Sequence, residues 1–328
     1  MDNKTINCPM KLIEELESLK TQEFLLRGHS SSTYFLQPQA FREQDIKKIA
    51  NQFPISNELT RHWKQGEVLN KIKPWSSGVL PNPIITDRIL SYVLYLLQYN
   101  YYLTRYYQGL NPIYSSNLDQ EIATRLPSKN LATEQAFIEL AEYFYLKILT
   151  RISLGGTIVA KAIPPQEITG YDETWPQHYS FPSAALDWTL SIPVALHFAI
   201  RSFEAPPSSG TSQLSICCFK QIDAKNSPVQ VIEKSELKTN PRALRQEGLF
   251  TYFSEPCSFY IEHGTFPKIE SYSLDQRHFI VLKRNIEINK QNIEVLRNYT
   301  RLHKINDNFL LLEDHYDLSK PKCTYIPA

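Results

Sequence analysis

Three short segments hold the residues most able to do chemistry: Arg27-Gly28-His29, the stretch 177–189, and Gln246-Glu247-Gly248. Arg27 closes an apolar run, Phe24-Leu25-Leu26, that reads as a buried strand, so its guanidinium stands at a strand end. A planar fork of donors there suits a phosphate or a ribose hydroxyl, and a neighbouring glycine lets a ligand approach the backbone. The same spacing equally describes a turn glycine beside a surface arginine.

The second segment places Gln177-His178-Tyr179 ahead of Asp187-Trp188-Thr189, which precedes a helix-like run. Asp187 or Thr189 is a natural N-cap. Free N–H groups at a helix start, with a histidine and an aromatic ring nearby, also make a pocket for a polar ligand. His178 and Trp188 equally suit satisfied core positions. In the third segment Arg242 and Arg245 precede Gln246-Glu247-Gly248, and the strand-like LFTYF follows. That reads either as amide and carboxylate groups at a strand mouth or as a surface ion pair worth little.

These segments need a scaffold. Pro9 followed by Leu12, Ile13, Leu16 and Leu19 predicts an amphipathic helix. The region 43–156 reads as a helical insertion, with a proline-broken loop at 73–83, a helix from Thr86 or Asp87 to Tyr107, and a second helix over 133–154. From 157 to 328 the texture is a β-rich core with a C-terminal helix: GTIVAKAI, LSICCF, PVQVIE, GLFTYF, SFYIE and HFIVL read as strands, with helices at 191–203 and 290–299. The expectation is a single α+β domain over 1–328; without regular βαβ alternation a doubly wound nucleotide fold is not expected.

Composition narrows the function classes. Lys and Arg number 35 against 34 Asp and Glu in 328 residues, so no global field draws the chain to nucleic acid or an anionic membrane. The five cysteines lack C-x-x-C spacing, and their odd number argues against a disulfide framework and for a reducing cytoplasm. The sequence shows no signal-like leader and no apolar run of spanning length, so no membrane partner is expected. The eight histidines show no zinc-hydrolase spacing, so no metal is expected, and the Walker, Rossmann and nucleophile-elbow motifs are missing.

Taken in order, the segments resemble the FRG domain, a bacterial family named for a Phe-Arg-Gly motif. Leu26-Arg27-Gly28 takes the motif's place, and Tyr34, Leu36, Pro38, Phe41 and Arg42 follow the family's next pattern. The block 177–199 is similar to the family's Gln-His-Tyr and Leu-Asp-Trp-Thr stretch, and Asn240, Arg242, Gln246, Gly248 and Phe250 to its third block. The resemblance runs over about 10–315. The chain departs from the family at His29, Ser180, Ser183, Ala184 and Ala185, where the last two replace an Arg-Leu pair.

By pattern, the layout is similar to Arg-Ser-Glu ADP-ribosyltransferases: an early strand arginine (Arg27), a polar element before a helix (Asp187-Trp188-Thr189), and a Gln/Glu motif opening a later strand (Gln246-Glu247-Gly248). This implies an ADP-ribosyltransferase-like split-sheet core and NAD as substrate, with ADP-ribose passed to a protein or nucleic-acid acceptor or to water, in a bacterial toxin or phage-defence setting. The implied catalytic residues are Arg27, Gln246 and Glu247; the implied ligand-binding residues are Arg27, Gly28, His29, His178, Tyr179, Asp187, Trp188 and Thr189. Cleaving the nicotinamide bond needs a dinucleotide clamp, an aromatic wall and a polar partner for the ribose. Arg27 would clamp, Gly28 would meet the carboxamide, Tyr179 or Trp188 would form the wall, and Gln246 would orient the ribose. Gly248 stands where such enzymes carry a catalytic glutamate, and in a strand Glu247 would face away from Gln246. That keeps a second expectation open, a module that binds a nucleotide or partner without chemistry.

Overall fold

A computed structural model describes residues 1–52, 84, 87–89, 91–95, 99, 183–203, 212–232, 241–272 and 277–311. The strand expected at 156–163, the helix at 133–154, the loop at 73–83, and His178 and Tyr179 lie outside the described residues. The strands are β1 Asp2–Thr5, β2 Leu25–His29, β3 Leu186–Thr189, β4 Gln213–Gln221, β5 Val229–Ile232, β6 Gly248–Phe253 and β7 Phe279–Glu287. The helices, in chain order, are α1 Pro9–Thr21, α2 Glu43–Gln52, α3 Ile192–Ile200, α4 Pro241–Arg245, α5 Pro256–His263, α6 Lys290–Leu302 and α7 Asp307–Leu311. Positions 87–89 and 91–95 are helical too. No described helix is long and apolar enough to cross a membrane.

The chain divides into two compact units. The first, Met1–Gln39 with Asp172–Phe253 and Lys268–Asp317, carries one sheet in the order β1-β7-β4-β2-β3-β6-β5. β1 runs parallel to β7 and every other described pairing is antiparallel, so the architecture is α+β and not doubly wound. Among the described residues the seven strands form one sheet with a seam. β2 pairs β4 from Leu25–Phe219 through His29–Ser215, yet it meets β3 only at Leu26–Thr189.

Alternation along the strands separates two kinds of surface. Leu26, Leu214, Ile216, Cys218 and Ile286 join Leu12, Ile13, Leu16 and Leu19 of α1, Ala195, Leu196 and Ala199 of α3, and Ile293 and Leu296 of α6 in one core. The spacing in α1 puts its apolar residues on one stripe, and Pro9 opens the helix without forfeiting a needed donor. The intervening positions in register, Arg27-Cys217-Lys283 and His29-Ser215-Asn285, form two polar rows on the opposite face of β2, β4 and β7.

Gly28 sits where β2 touches a helix. A Cβ there would stand 1.9 Å from Ala195 O and 2.7 Å from Ala199 N, so the glycine lets the backbone of α3 lie against the strand. The close approach expected at Gly28 is thus made by the chain's own helix on this side.

The second unit, Ala40–Tyr171 with Ser254–Pro267 and Leu318–Ala328, contains the stretch 43–156 read as an insertion. Phe266 centres its aromatic cluster, stacked on Phe41 at 4.9 Å and met by Tyr260 at 4.6 Å and Tyr95 at 4.7 Å. Segment 258–262, read as a strand, belongs to helix α5. Pro256 in the first turn and Gly264 in the left-handed region at φ 73° bracket a helix, and Arg88 Nη1 donates to its last carbonyls, Ile261 O and Glu262 O.

Candidate functional site

Arg27 lies at the seam. Its Nη1 donates to the backbone oxygen of Asp187 at 2.7 Å and is ion-paired with the Asp187 carboxylate. Its Nε donates to His29 Nε2 at 2.9 Å. An acceptor at Nε2 puts the imidazole proton on Nδ1, which faces Cys217 Sγ at 3.9 Å. His29 is buried and the Arg27 side chain nearly so, which makes a paired and bonded guanidinium necessary: an isolated buried charge costs several kcal/mol, of order ~5 or more. Burial pushes the Cys217 thiol up to about 11, against the opposing pull of Lys283 and Arg27, so it is a neutral packing group.

The third segment meets the same strand two residues further on. Thr189 Oγ1 donates to Gln246 O at 2.5 Å and accepts from Ser191 N at 2.9 Å, while Leu190 N donates to Glu247 O at 3.1 Å. Asp187-Trp188-Thr189 is therefore strand β3 and not a helix cap. The cap position of α3 is Ser191, whose side chain makes no cap bond, and Pro193 occupies the first turn. Thr189 stands two residues before that cap, within the β3 ladder, and its hydroxyl accepts from Ser191 N and not from an N–H inside the helix.

Gln246 and Glu247 precede β6, so strand alternation does not govern them. Glu247 has φ 46°, its N–H bonds Leu244 O as the chain leaves α4, and its side chain is exposed. Gln246 is buried and its Nε2 donates to Leu310 O of α7 at 3.4 Å. Gly248 starts β6 against α4: a Cβ would stand 3.1 Å from Ala243 O and 3.3 Å from Ala243 Cα.

Two expected ligand contacts change character. Trp188 is buried, its Nε1 donates to Thr251 Oγ1 at 2.9 Å and its ring packs on Phe219 at 5.3 Å, so it is a satisfied core residue and no wall for a ligand. Gly28 faces α3, as above. The structure brings Arg27, His29 and Asp187 into one cluster and Thr189, Gln246 and Glu247 into another, with β3 joining them.

Sequence reasoning missed Lys283. Buried on the Arg27 face, its ammonium donates to Ser32 O at 2.5 Å and Tyr34 O at 3.2 Å, fixing the loop that follows His29. Alternation in FIVLKRNIE marks Lys283 as inward-facing, since Val281, Lys283 and Asn285 share a face. Glu270 holds the far end of that loop through Leu36 N, at 2.9 and 3.1 Å.

No family model matches the chain, and neither a curated protein nor a solved structure does.

Proposed function

We propose that this chain, an FRG-like protein, uses NAD in the manner of an ADP-ribosyltransferase, passing ADP-ribose to a macromolecular acceptor or to water, as a bacterial defence or toxin protein does. The observation that carries this reading is the convergence on β3: Asp187 holds Arg27, and Thr189 holds Gln246, so the three motifs meet at one seam of the sheet. Arg27, oriented from two sides by Asp187 and His29, is the clamp for the dinucleotide phosphates. Glu247, exposed at the mouth of β6, is the carboxylate that stabilises developing positive charge on the ribose. Buried Gln246 positions Glu247 through its bonds to Thr189 and α7.

The test is nicotinamide release from NAD by the purified chain with cell extract supplying an acceptor, run beside Arg27→Ala and Glu247→Gln. Release by the parent and loss of at least tenfold in both variants support the reading. Equal release by folded variants refutes the site.

A second reading is a module that binds a nucleotide without cutting it. It is favoured by Gly248, which stands at the analogous glutamate position without a carboxylate and packs closely on Ala243, where an added Cβ would stand 3.1 Å from Ala243 O. Calorimetry showing NAD or ADP-ribose binding with no nicotinamide release selects this alternative.

A further inference from the structure

We infer that Tyr34 is the ring-stacking residue of the site, and that the ligand presents it with a planar heterocycle; this rests on the nucleotide reading above. A nucleotide site benefits from an aromatic face, and Trp188 is spent in the core. Tyr34 has the opposite character. The residue is 54% exposed, yet its ring lies edge-on to His29 with centroids 5.9 Å apart, and His29 in turn accepts from Arg27. Ring, imidazole and guanidinium are therefore contiguous.

The loop carrying Tyr34 is held at many points. Ser32 N donates to Gln213 O at 2.6 Å, Ser31 and Thr33 bond through their hydroxyls, and Leu36 is tied to both Glu270 and Ile269 N. Lys283, only 5% exposed, spends its ammonium on the carbonyls of Ser32 and Tyr34. Burying an ammonium is costly unless its donors are met, so the fold invests a buried cation in this short loop. The adjacent ring, Phe35, is also exposed, with Lys268 Nζ 3.5 Å from its centroid over one face, but it has no ring contact to His29 comparable to that of Tyr34. A large ring held on a rigid backbone loses little freedom when it stacks a ligand, which is how aromatic platforms gain affinity.

The experiment titrates the full chain with NAD, ADP-ribose, nicotinamide mononucleotide and ribose 5-phosphate by calorimetry, in the parent, Tyr34→Phe and Tyr34→Leu. Tyr34→Leu should weaken NAD by about 10- to 100-fold while Tyr34→Phe stays within about twofold, as expected for one stacked ring. Whichever of ADP-ribose and nicotinamide mononucleotide loses the same factor identifies the stacked ring as adenine or nicotinamide. Ribose 5-phosphate, without a planar base, should bind both variants as it binds the parent. In the parent, nuclear Overhauser contacts should join heterocycle protons to a tyrosine ring and disappear when Tyr34 alone is replaced. NAD binding unchanged by Tyr34→Leu overturns this inference and leaves the NAD reading standing. A parent that binds neither NAD nor ADP-ribose ends both. Equal loss for ribose 5-phosphate also overturns it, since that is damage to the site and not to stacking.

Discussion

Arg27 Nη1 donates to the carbonyl oxygen of Asp187 at 2.7 Å and is ion-paired with the carboxylate of the same residue. A single guanidinium thus links β2 to β3 beside their one ladder pairing, Leu26 with Thr189. Asp187→Ala removes both the charge partner and its shape, and should cost about 1–3 kcal/mol in urea unfolding. Arg27→Leu with Asp187→Ala should cost less than the sum of the single changes. Strict additivity would show that the pair does not hold the seam.

Gly28→Ala should destabilise by about 1–3 kcal/mol or more, because the added carbon meets backbone atoms of α3 that cannot rotate away. Thermal melts of this variant beside Gly28→Ala/Ala195→Gly check the reason. The added carbon meets Ala195 O and Ala199 N, both main chain, so trimming the Ala195 side chain should rescue little. Full rescue would place the clash in side chains instead.

Glu247 occupies the left-handed region at φ 46° without being glycine. Replacing it by glycine relieves about 1 kcal/mol of backbone strain. Glu247→Gly should therefore melt at a higher temperature while losing the nicotinamide release assigned to the site. A variant that is more stable and equally active removes Glu247 from the chemistry.

Glu15 lies between Lys4 and Arg284. Burial by itself raises its carboxyl, but hydrogen bonds from Lys4 and Arg284, with their charges, outweigh this and hold it below the usual carboxylate range. A depressed carboxylate contributes stability above its unfolded pKa, and that contribution disappears as pH falls through the folded value. Glu15→Gln should accordingly be less stable than the parent at pH 7, and the gap should close in acid. A gap independent of pH would assign the loss to packing.

Burial raises the thiols of Cys217, to about 11, and of Cys218 further. Iodoacetamide at pH 8 followed by peptide mapping should leave both unmodified in the folded chain and label both in urea. Labelling of Cys217 under native conditions would show that the polar face beneath the Tyr34 loop opens to solvent.

Several elements were legible along the chain. The stripe Leu12, Ile13, Leu16, Leu19 after Pro9 marks α1, and the apolar runs at 214–219, 248–253 and 278–282 mark β4, β6 and β7. Segment 258–262 misleads because Phe259, Tyr260 and Ile261 are the residue types strands favour, while the helix is decided by Pro256 and Gly264 outside them. Asp187-Trp188-Thr189 misleads in the other direction. Its polar residues resemble a cap, and β6, far along the chain, with one pairing from β2, supplies the ladder that makes it a strand.

By itself, the amino-acid order determined the local periods, and with them an α+β chain, but it put Arg27 at a strand end and Asp187 at a helix start, whereas both stand within strands, β2 and β3. Tertiary structure alone decided that Asp187 meets Arg27, that Thr189 meets Gln246, that Trp188 is core, and that Tyr34 is presented outward by Lys283. The physical reason is that period depends on neighbours in sequence, whereas register depends on which distant strands pair and which side chains the pairing brings within hydrogen-bond reach.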